Sequence, residues 1–391
     1  MSSTVPKTNG KVPLDASLLT IEVAGTLKPI KTDYMLVMTF DPLTGWSARN
    51  QTLCAVSALA LDPASNCFQY CTNVFEGMKA FLDPDGKPRM FRPEQNMARL
   101  VTSAARMALP CVPAMFDPDA LLVCINKLVS LEARWISALP DHALYIRPTM
   151  IGTKPSIKVG ASDHATLYVI VTPVGPYFQS SSGGVSLLAG GEHVRSWPGG
   201  TGGFKLGPNY SPGFVPQRIA SDFGYDQVLW LLGEEKQITE AGAMNFFAVI
   251  EREEGGVNVV TPPLDGTILP GITRDSALVL LRAHAADPAK QLLALSGSKP
   301  VYIEERVLTV PELAAAAASG TLLECFGTGT AVLVVAIERI GDVADPALKT
   351  IADIGTSAGR GLGPVGQTLW DKLLAVKEGR EDFHGWSVLC E

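Results

Sequence analysis

The sequence predicts an α+β protein with two domains, and three observations support this prediction. The chain has 391 residues, and a single domain usually holds about 100–200 residues. Hydrophobic residues make up 47% of the chain and charged residues 18%, a composition that supplies a large core. Short strand-like runs follow one another with few helices between them. That order favours a barrel-like or α+β arrangement over a doubly wound parallel sheet.

Hydrophobic patterns place the elements of the first domain, which we predict over residues 1–172, with a weakly patterned arm at 1–30. The segment VFEGMKAFLDPDGKPRMF, residues 74–91, predicts a hairpin around an Asp-Pro-Asp-Gly turn. Apolar runs predict strands at 34–40, 143–152 and 165–174, and helical spacing predicts helices at 92–109 and 118–136.

Proline, glycine and serine are concentrated just after these elements and mark an interdomain loop at 173–183. The second domain is then predicted over 184–391 and is rich in short strands. Its helices are expected near 273–285, 311–319 and 366–378.

Charge and cysteine content exclude several classes of protein. The net charge is −7 and the isoelectric point is about 5.4, which argues against a nucleic-acid partner. The seven cysteines are odd in number and lack Cys-x-x-Cys spacing, so neither a disulfide framework nor a metal site is expected. No apolar run approaches the ~20 residues of a membrane span. The first arginine is Arg49, so a mitochondrial presequence is poorly supported and a cytoplasmic location is predicted.

One lysine lies in an unusual setting. The loop GGTGGFKLGPNY, residues 199–210, holds Lys205 as its only charge, and no acidic side chain lies within five residues of it. Burial without a carboxylate neighbour favours the neutral, nucleophilic amine, and glycines let a planar group approach the backbone. Tyr210 adds a phenolic hydroxyl. The alternative interpretation is a flexible surface loop with an incidental lysine.

Three other segments add chemistry to this lysine. Glu240, in QITEAGAMNFF, follows a strand-like stretch and precedes small residues, so its carboxylate is available to pair with a protonated ring nitrogen. The turns LPGITR (269–274) and FGTGTA (326–331) expose backbone N–H groups that suit a phosphate or carboxylate. Taken alone, Glu240 has the alternative interpretation of an exposed glutamate in a turn, and the other two segments are more commonly ordinary turns. Together with the lysine they describe a pyridoxal phosphate site.

An ordered series of motifs resembles the branched-chain amino acid aminotransferases, a fold-type IV family of pyridoxal phosphate enzymes, and follows their eukaryotic branch. The resemblance covers residues 33–340, and its motifs are FEGMKAF, NMARL, LYIRPTMIGT, PVGPYF, GGTGGFKLGPNY, QVLWLLG, ITEAGAMNFF, PPLDGTILPGITR and FGTGTA. It implies a small α/β domain, a larger pseudo-barrel α/β domain, a cofactor placed between them and a homodimer.

The resemblance also implies residue roles. Lys205 would form a Schiff base with the cofactor and then carry the proton, Tyr210 would bond its phenolic oxygen, and Glu240 would pair with its ring nitrogen. The cofactor phosphate would be bound by Arg99, Ile272, Thr273 and Thr330. The substrate would contact Phe75, Tyr145, Arg147, Ala331 and, across the dimer, Tyr70.

These roles imply the reaction as well. Aromatic walls suit leucine, isoleucine and valine, while Arg147 would accept the second carboxylate of glutamate or 2-oxoglutarate. The expected activity is therefore reversible transamination between branched-chain L-amino acids and 2-oxoglutarate, in two half-reactions.

The sequence departs from the family pattern at three places. Ala243 replaces a threonine that often supports the cofactor, Pro208 and the following Ser-Pro-Gly alter the start of the next helix, and a Cys-x-x-Cys pair is absent after FGTGTA. The alternatives are therefore a fold-type IV enzyme of other or relaxed specificity, acting on a D-amino acid or an amine, or a copy specialised for a secondary pathway. A non-catalytic relative is disfavoured because Lys205 and Glu240 are both present.

Overall fold

The computed structural model describes residues 32–46, 52–111, 116–177, 183–190, 192–287, 300–342, 352–353 and 360–391. The predicted arm and residues 178–182 of the predicted interdomain loop lie outside these ranges. The chain packs as two units, and each is described by itself. The first unit comprises residues up to Pro176, Lys205–Pro208 and Ala375–Glu391, and the second comprises Tyr177–Phe204 and Asn209–Leu374.

These packing units differ from the predicted domains in two segments. Lys205–Pro208 groups with the first unit because Leu206 forms a β-bridge with Val74. The C-terminal residues return to the first unit because Ser387–Leu389 pairs with Pro88–Phe91. A boundary near 173–183 stays a prediction.

The first unit is built on an antiparallel sheet. Its strands are β1 Tyr34–Asp41, β2 Gly45–Trp46, β3 Thr52–Ala55, β4 Asn73–Phe75, β5 Met78–Leu82, β6 Pro88–Phe91, β7 Ala143–Gly152, β8 Ala165–Val174 and, late in the chain, β18 Ser387–Leu389. Their order is β18-β6-β5-β7-β8-β1-β2, with β3 on β1 and β4 on β7. The long strands β7 and β8 pair over their whole length and have the predicted bounds.

The predicted hairpin at 74–91 is partly wrong. Its first arm is two strands, β4 and β5, separated by Glu76 and Gly77. A Cβ on residue 77 would overlap the hydroxyl of Tyr145, so only glycine fits this close approach. The break turns Glu76 into the interior, where it is 0% exposed.

Two helices of the first unit lie close to the predicted positions 92–109 and 118–136, and a short helix at Asn66–Tyr70 was not predicted. In chain order, these helices are α1 Asn66–Tyr70, α2 Pro93–Arg106 and α3 Pro118–Glu132, and a 3₁₀ turn at Ala133–Trp135 follows α3. The start of α3 is fixed by Asp117, whose carboxylate accepts from the N–H groups of Asp119 and Ala120.

The second unit is a closed barrel with added edge strands. Its strands are β9 Gly184–Gly190, β10 Gln227–Leu232, β11 Gln237–Ala241, β12 Met244–Glu251, β13 Val257–Thr261, β14 Val301–Glu305, β15 Leu322–Gly329, β16 Leu333–Gly341 and β17 Ala352–Asp353. The order is β11-β10-β9-β16-β15-β12-β13-β14, and β11 also pairs with β12. That last pairing closes six strands into a ring, so the predicted pseudo-barrel is confirmed.

Four helices accompany the barrel strands in the sequence: α4 Phe214–Asp222, α5 Ile272–Ala286, α6 Val310–Ser319 and α7 Pro364–Lys377. The last three match the predicted helices to within two residues. Among the described residues, no helix is long and apolar enough to cross a membrane.

The end of α7 places a lysine in the apolar interior of the first unit. Lys377 is 3% exposed, and its Nζ lies 4.9 Å from the ring centre of Phe91 and 6.0 Å from that of Phe81. No carboxylate pairs with it in the part of the chain that the structure describes. Burial, reinforced by the nearby charge of Lys79, lowers the pKa of Lys377 from 10.5 to about 7.

We expect Lys377→Met to stabilise the protein near pH 7 and to remove part of its pH dependence. Between pH 7 and 10.5 the unfolded chain binds a proton that folded Lys377 has released, so the stability of the wild type rises with pH across this window. The wild type should gain on the variant by at most ~1.4 kcal/mol per pH unit. Urea unfolding at pH 7 to 10 measures this difference. Lys127→Met, at an exposed position of α3, is the control and should leave the pH dependence unchanged.

Candidate active site

The glycine-rich loop is held in one conformation by the side-chain amide of Asn209. Asn209 Nδ2 donates to the carbonyl oxygens of Thr201 and Phe204, each at 2.8 Å, and Asn209 Oδ1 accepts from Thr201 Oγ1 at 2.6 Å. Gly202 passes so close to the carbonyl of Thr267 that a Cβ there would overlap it. The loop is therefore braced, which argues against the flexible-loop interpretation of the sequence.

The backbone of Lys205 is fixed by two hydrogen bonds within the first unit. Its N–H donates to Ser103 Oγ at 2.9 Å, and its carbonyl accepts from the N–H of Phe75 at 3.2 Å. Its Nζ lies 4.9 Å from the ring centre of Phe75. The residue is half-buried, and both hydrogen bonds fix the backbone from which the amine extends.

Three predicted substrate residues share this region of the first unit. Tyr145 and Arg147 project from the same face of β7 because they are two residues apart on a strand. Arg147 Nη2 donates to Tyr145 Oη at 2.9 Å, and the guanidinium carbon lies 4.9 Å from the ring centre of Phe75. The buried Nε of Arg147 has no hydrogen-bond partner among the described residues. The arrangement pairs an apolar aromatic surface with a cation that retains an unused donor.

A buried carboxylate that sequence reasoning did not single out supports this group. Glu76 accepts from Arg99 Nε and Nη2, both at 2.8 Å, and from Asn96 Nδ2 at 2.7 Å. Because Asn96 and Arg99 are one turn apart on α2, the carboxylate ties the helix to the break between β4 and β5. The sequence signal that could have identified Glu76 is an acidic residue inside an otherwise apolar, strand-like run. Arg99 therefore has a protein partner, and its predicted contact with a phosphate stays a prediction.

Glu240 lies in the barrel wall of the second unit and is 2% exposed. Its Oε1 accepts from the N–H of Leu269 at 2.9 Å and from Asn245 Nδ2 at 3.3 Å. Its Oε2 lies 2.6 Å from Nε of Arg195, whose side chain is only 6% exposed. These contacts satisfy the carboxylate in its ionised form. Arg195 was missed because nothing in its local sequence points to a partner that is distant in the chain.

The two predicted anion-binding turns also belong to the second unit. Ile272 and Thr273 are the first residues of α5, where N–H groups have no partner within the helix. Thr330 and Ala331 form the turn between β15 and β16 and are half-buried. Nearby in the sequence, Thr328 Oγ1 is buried and has no hydrogen-bond partner within the described ranges. Both segments therefore present polar backbone suited to an anion.

Tyr210 and Tyr70 occupy turns. Tyr210 precedes a 3₁₀ turn at Ser211–Gly213, so the Pro208 and Ser-Pro-Gly departures place a tight turn before α4. Tyr70 ends α1, and its hydroxyl donates to the carbonyl of Ile157. Ala243 is exposed in the turn between β11 and β12.

The residues present fit pyridoxal phosphate by the chemistry of their donor sets. Lys205 supplies an amine on a fixed backbone, Glu240 is a buried carboxylate suited to a pyridinium N–H, and the start of α5 supplies backbone donors for a phosphate. No group of three metal-ligating side chains occurs in the described part of the chain.

Comparisons with known proteins agree with this chemistry. Residues 73–340 match the amino-transferase class IV family. The chain is 40% identical to the mitochondrial branched-chain-amino-acid aminotransferase of Schizosaccharomyces pombe, over 97% of this chain and 86% of that protein. It is 38% identical to the cytosolic branched-chain-amino-acid aminotransferase of Saccharomyces cerevisiae, over 96% of this chain and 97% of that protein.

A solved structure shares the fold. A T.th. branched-chain amino acid aminotransferase, complexed with N-(5'-phosphopyridoxyl)-L-glutamate, superposes with a TM-score of 0.68 and 23% identity, over 93% of this chain and all of that one. The α+β fold of type IV is therefore confirmed. The family match and the relatives near 40% identity together show that this chain belongs to the class IV aminotransferases and, within them, to the branched-chain-amino-acid aminotransferases.

Proposed function

We propose that this protein catalyses reversible transfer of an amino group between branched-chain L-amino acids and 2-oxoglutarate, with pyridoxal 5'-phosphate as cofactor. The observation that carries the proposal is the group formed by Lys205, Phe75, Tyr145 and Arg147 in the first unit. It offers an apolar surface and a cation beside a single reactive amine, which is what two unlike substrates require. Family membership supports the reaction.

Lys205 is the proposed catalytic residue. Pyridoxal phosphate, when bound, accepts the amino group and stabilises the negative charge that develops at Cα of the substrate. Nζ of Lys205 would remove the proton from Cα of the substrate and hold it for return in the second half of the reaction. The hydrogen bonds to Ser103 and Phe75 fix the lysine backbone, so only the side chain moves between the two positions.

Arg147 and the aromatic rings contact different parts of the two kinds of substrate. Phe75 and Tyr145 bind the branched side chain, while the guanidinium of Arg147, whose one hydrogen bond among the described residues goes to Tyr145 Oη, donates to the distal carboxylate of glutamate or 2-oxoglutarate. Thr330 and Ala331 bind the α-carboxylate through backbone N–H groups.

The remaining residues hold the cofactor. Glu240 would pair with the ring nitrogen and keep it protonated, and Tyr210 would bond the phenolic oxygen. The phosphate would be bound by Arg99, Ile272, Thr273 and Thr330. Arg195 is a positioning residue that keeps the Glu240 carboxylate ionised and correctly oriented. We also propose a homodimer in which Tyr70 completes the substrate site of the partner subunit, and a cytoplasmic location.

Lys205→Ala should abolish both turnover and the yellow colour of the protein. The wild type should show a visible band that disappears on addition of L-leucine and returns with 2-oxoglutarate, because each half-reaction changes the bound cofactor. Absorption spectra of the purified protein measure this. Lys127→Ala is the control and should behave as the wild type. A visible band that responds to D-leucine or an aromatic amine but not to L-leucine would contradict the substrate assignment.

Arg147→Gln should weaken the use of 2-oxoglutarate much more than the use of L-leucine. Loss of a charge-assisted hydrogen bond is expected to raise KM for 2-oxoglutarate about 10- to 100-fold. KM for L-leucine should change little, because the leucine side chain has no carboxylate. Steady-state kinetics with each substrate varied in turn measure the effect, and Arg147→Lys should recover part of it. An equal loss for both substrates would show that Arg147 does not discriminate between them.

Arg195→Gln should lower kcat about 10- to 100-fold by leaving the Glu240 carboxylate without its guanidinium. The absorption maximum of the bound cofactor should also move, and its pH titration should shift, which general loss of packing would not produce. Arg195→Lys should restore part of both signals. Arg252→Gln, which removes an arginine paired with Asn258 elsewhere in the second unit, is the matched control. An unaltered spectrum in Arg195→Gln would refute the positioning role.

A further inference from the structure

A cavity of about 310 Å³ opens in the second unit and is not used by the proposed reaction. It lies among the segment that follows β9, the 3₁₀ turn at Ser211–Gly213, the first turn of α4 and the strand β10. Small-molecule sites usually measure about 300–1,000 Å³, so this volume suits one ligand smaller than a typical drug.

One wall of the cavity is apolar. The indole ring of Trp230 forms part of it, and its N–H is already committed to the carbonyl of Gly242 at 2.9 Å. Pro212 and Pro216 have no backbone N–H to offer, and Val194 adds an aliphatic side chain. This wall suits an apolar side chain rather than a polar one.

A buried cation also lines the cavity. Arg195 lines the cavity with a side chain that is 6% exposed. Its Nε faces Glu240, and its Nη1 donates to the carbonyls of Gly202 and Thr267 at 3.4 and 3.3 Å. Its Nη2 donates to no group among the residues that the structure describes, so one edge of a buried guanidinium is available to an acceptor in the cavity.

An exposed anion lines the cavity as well. Glu192 lines the cavity and is exposed, with the imidazole of His193 beside it in the chain. Because Arg195 and Glu240 already balance each other, a ligand that brings a carboxylate to Arg195 adds an uncompensated negative charge unless it carries its own cation. An ammonium directed at Glu192 supplies that cation.

We propose that this cavity is a second binding site for an α-amino acid with an apolar side chain. The carboxylate is bound by Arg195, the ammonium by Glu192, and the side chain packs on Trp230 and the two prolines. Because the same guanidinium holds Glu240, occupation of the cavity acts on the proposed cofactor site. Only this last consequence, and the source of the amino acid as substrate or product, rest on the proposed function.

Binding in the cavity can be measured apart from the reaction when the catalytic lysine is blocked. Borohydride reduction of the holoenzyme fixes the cofactor to Lys205, so L-leucine can no longer react there. Isothermal titration of the reduced enzyme with L-leucine should show one site per chain. The probes 4-methylvalerate, which lacks the ammonium, and isoamylamine, which lacks the carboxylate, should each bind about tenfold more weakly. A protein that fails to take up the cofactor is titrated as purified, so failure of the proposed function leaves this test intact.

Two variants and a control assign the binding to the cavity. A Cβ on Gly213 would contact the Trp230 ring at 3.4 Å, so Gly213→Leu should fill the cavity and abolish binding. Glu192→Gln should weaken L-leucine binding about tenfold. Glu234→Gln, at an exposed carboxylate in the turn between β10 and β11, should change nothing. Absence of binding by the reduced enzyme, equal binding of 4-methylvalerate, or unchanged affinity in Glu192→Gln would each overturn the proposal, even where Gly213→Leu fails to fold.

Discussion

The carboxylate of Glu240 is a charge that the barrel has to stabilise without water. Removing a carboxylate from solvent is costly unless other groups supply its hydrogen bonds and a counter-charge. The barrel supplies a backbone N–H from Leu269, the amide of Asn245 and the guanidinium of Arg195. This set constrains much of its surroundings. Asn245 Nδ2 also donates to the carbonyl of Leu269, so the carboxylate and the chain segment leading to α5 are fixed together.

The first unit contains a second buried pair with a different role. Glu76 accepts two hydrogen bonds from Arg99 in the parallel geometry that guanidinium and carboxylate groups favour. The N–H of Glu76 donates to the carbonyl of Pro148, next to Arg147 on β7. One residue thus joins helix α2, the break between β4 and β5, and the strand that carries Tyr145 and Arg147. The position of the proposed substrate residues depends on this connection, although Glu76 itself belongs to none of the proposed reaction steps.

The sequence was sufficient for elements whose pattern is local. The strands β7 and β8 have their predicted bounds because both are long, apolar and flanked by turn residues. The break at Glu76 and Gly77 was not predicted, because the need for glycine comes from the hydroxyl of Tyr145, on a strand far along the chain. Arg195 was missed for the same reason, since its partner Glu240 is distant in sequence. Of the candidate site, the motifs indicated Lys205, Phe75, Tyr145 and Arg147 together, and the structure brings these four into one region; their roles stay predictions.

The pairing of arginine with aromatic rings has a physical consequence for an enzyme with two kinds of substrate. A guanidinium left in an apolar site without a partner would be costly, yet a permanent carboxylate partner would occupy the donors that an acidic substrate needs. Arg147 meets both conditions, because it lies over the rings of Phe75 and Tyr145 and, within the described residues, its side chain donates only to the hydroxyl of Tyr145. Ring faces attract a cation without using its N–H groups. The same rings that would contact a branched side chain thus stabilise the charge that would receive a carboxylate, and neither substrate requires the other's contacts to be broken.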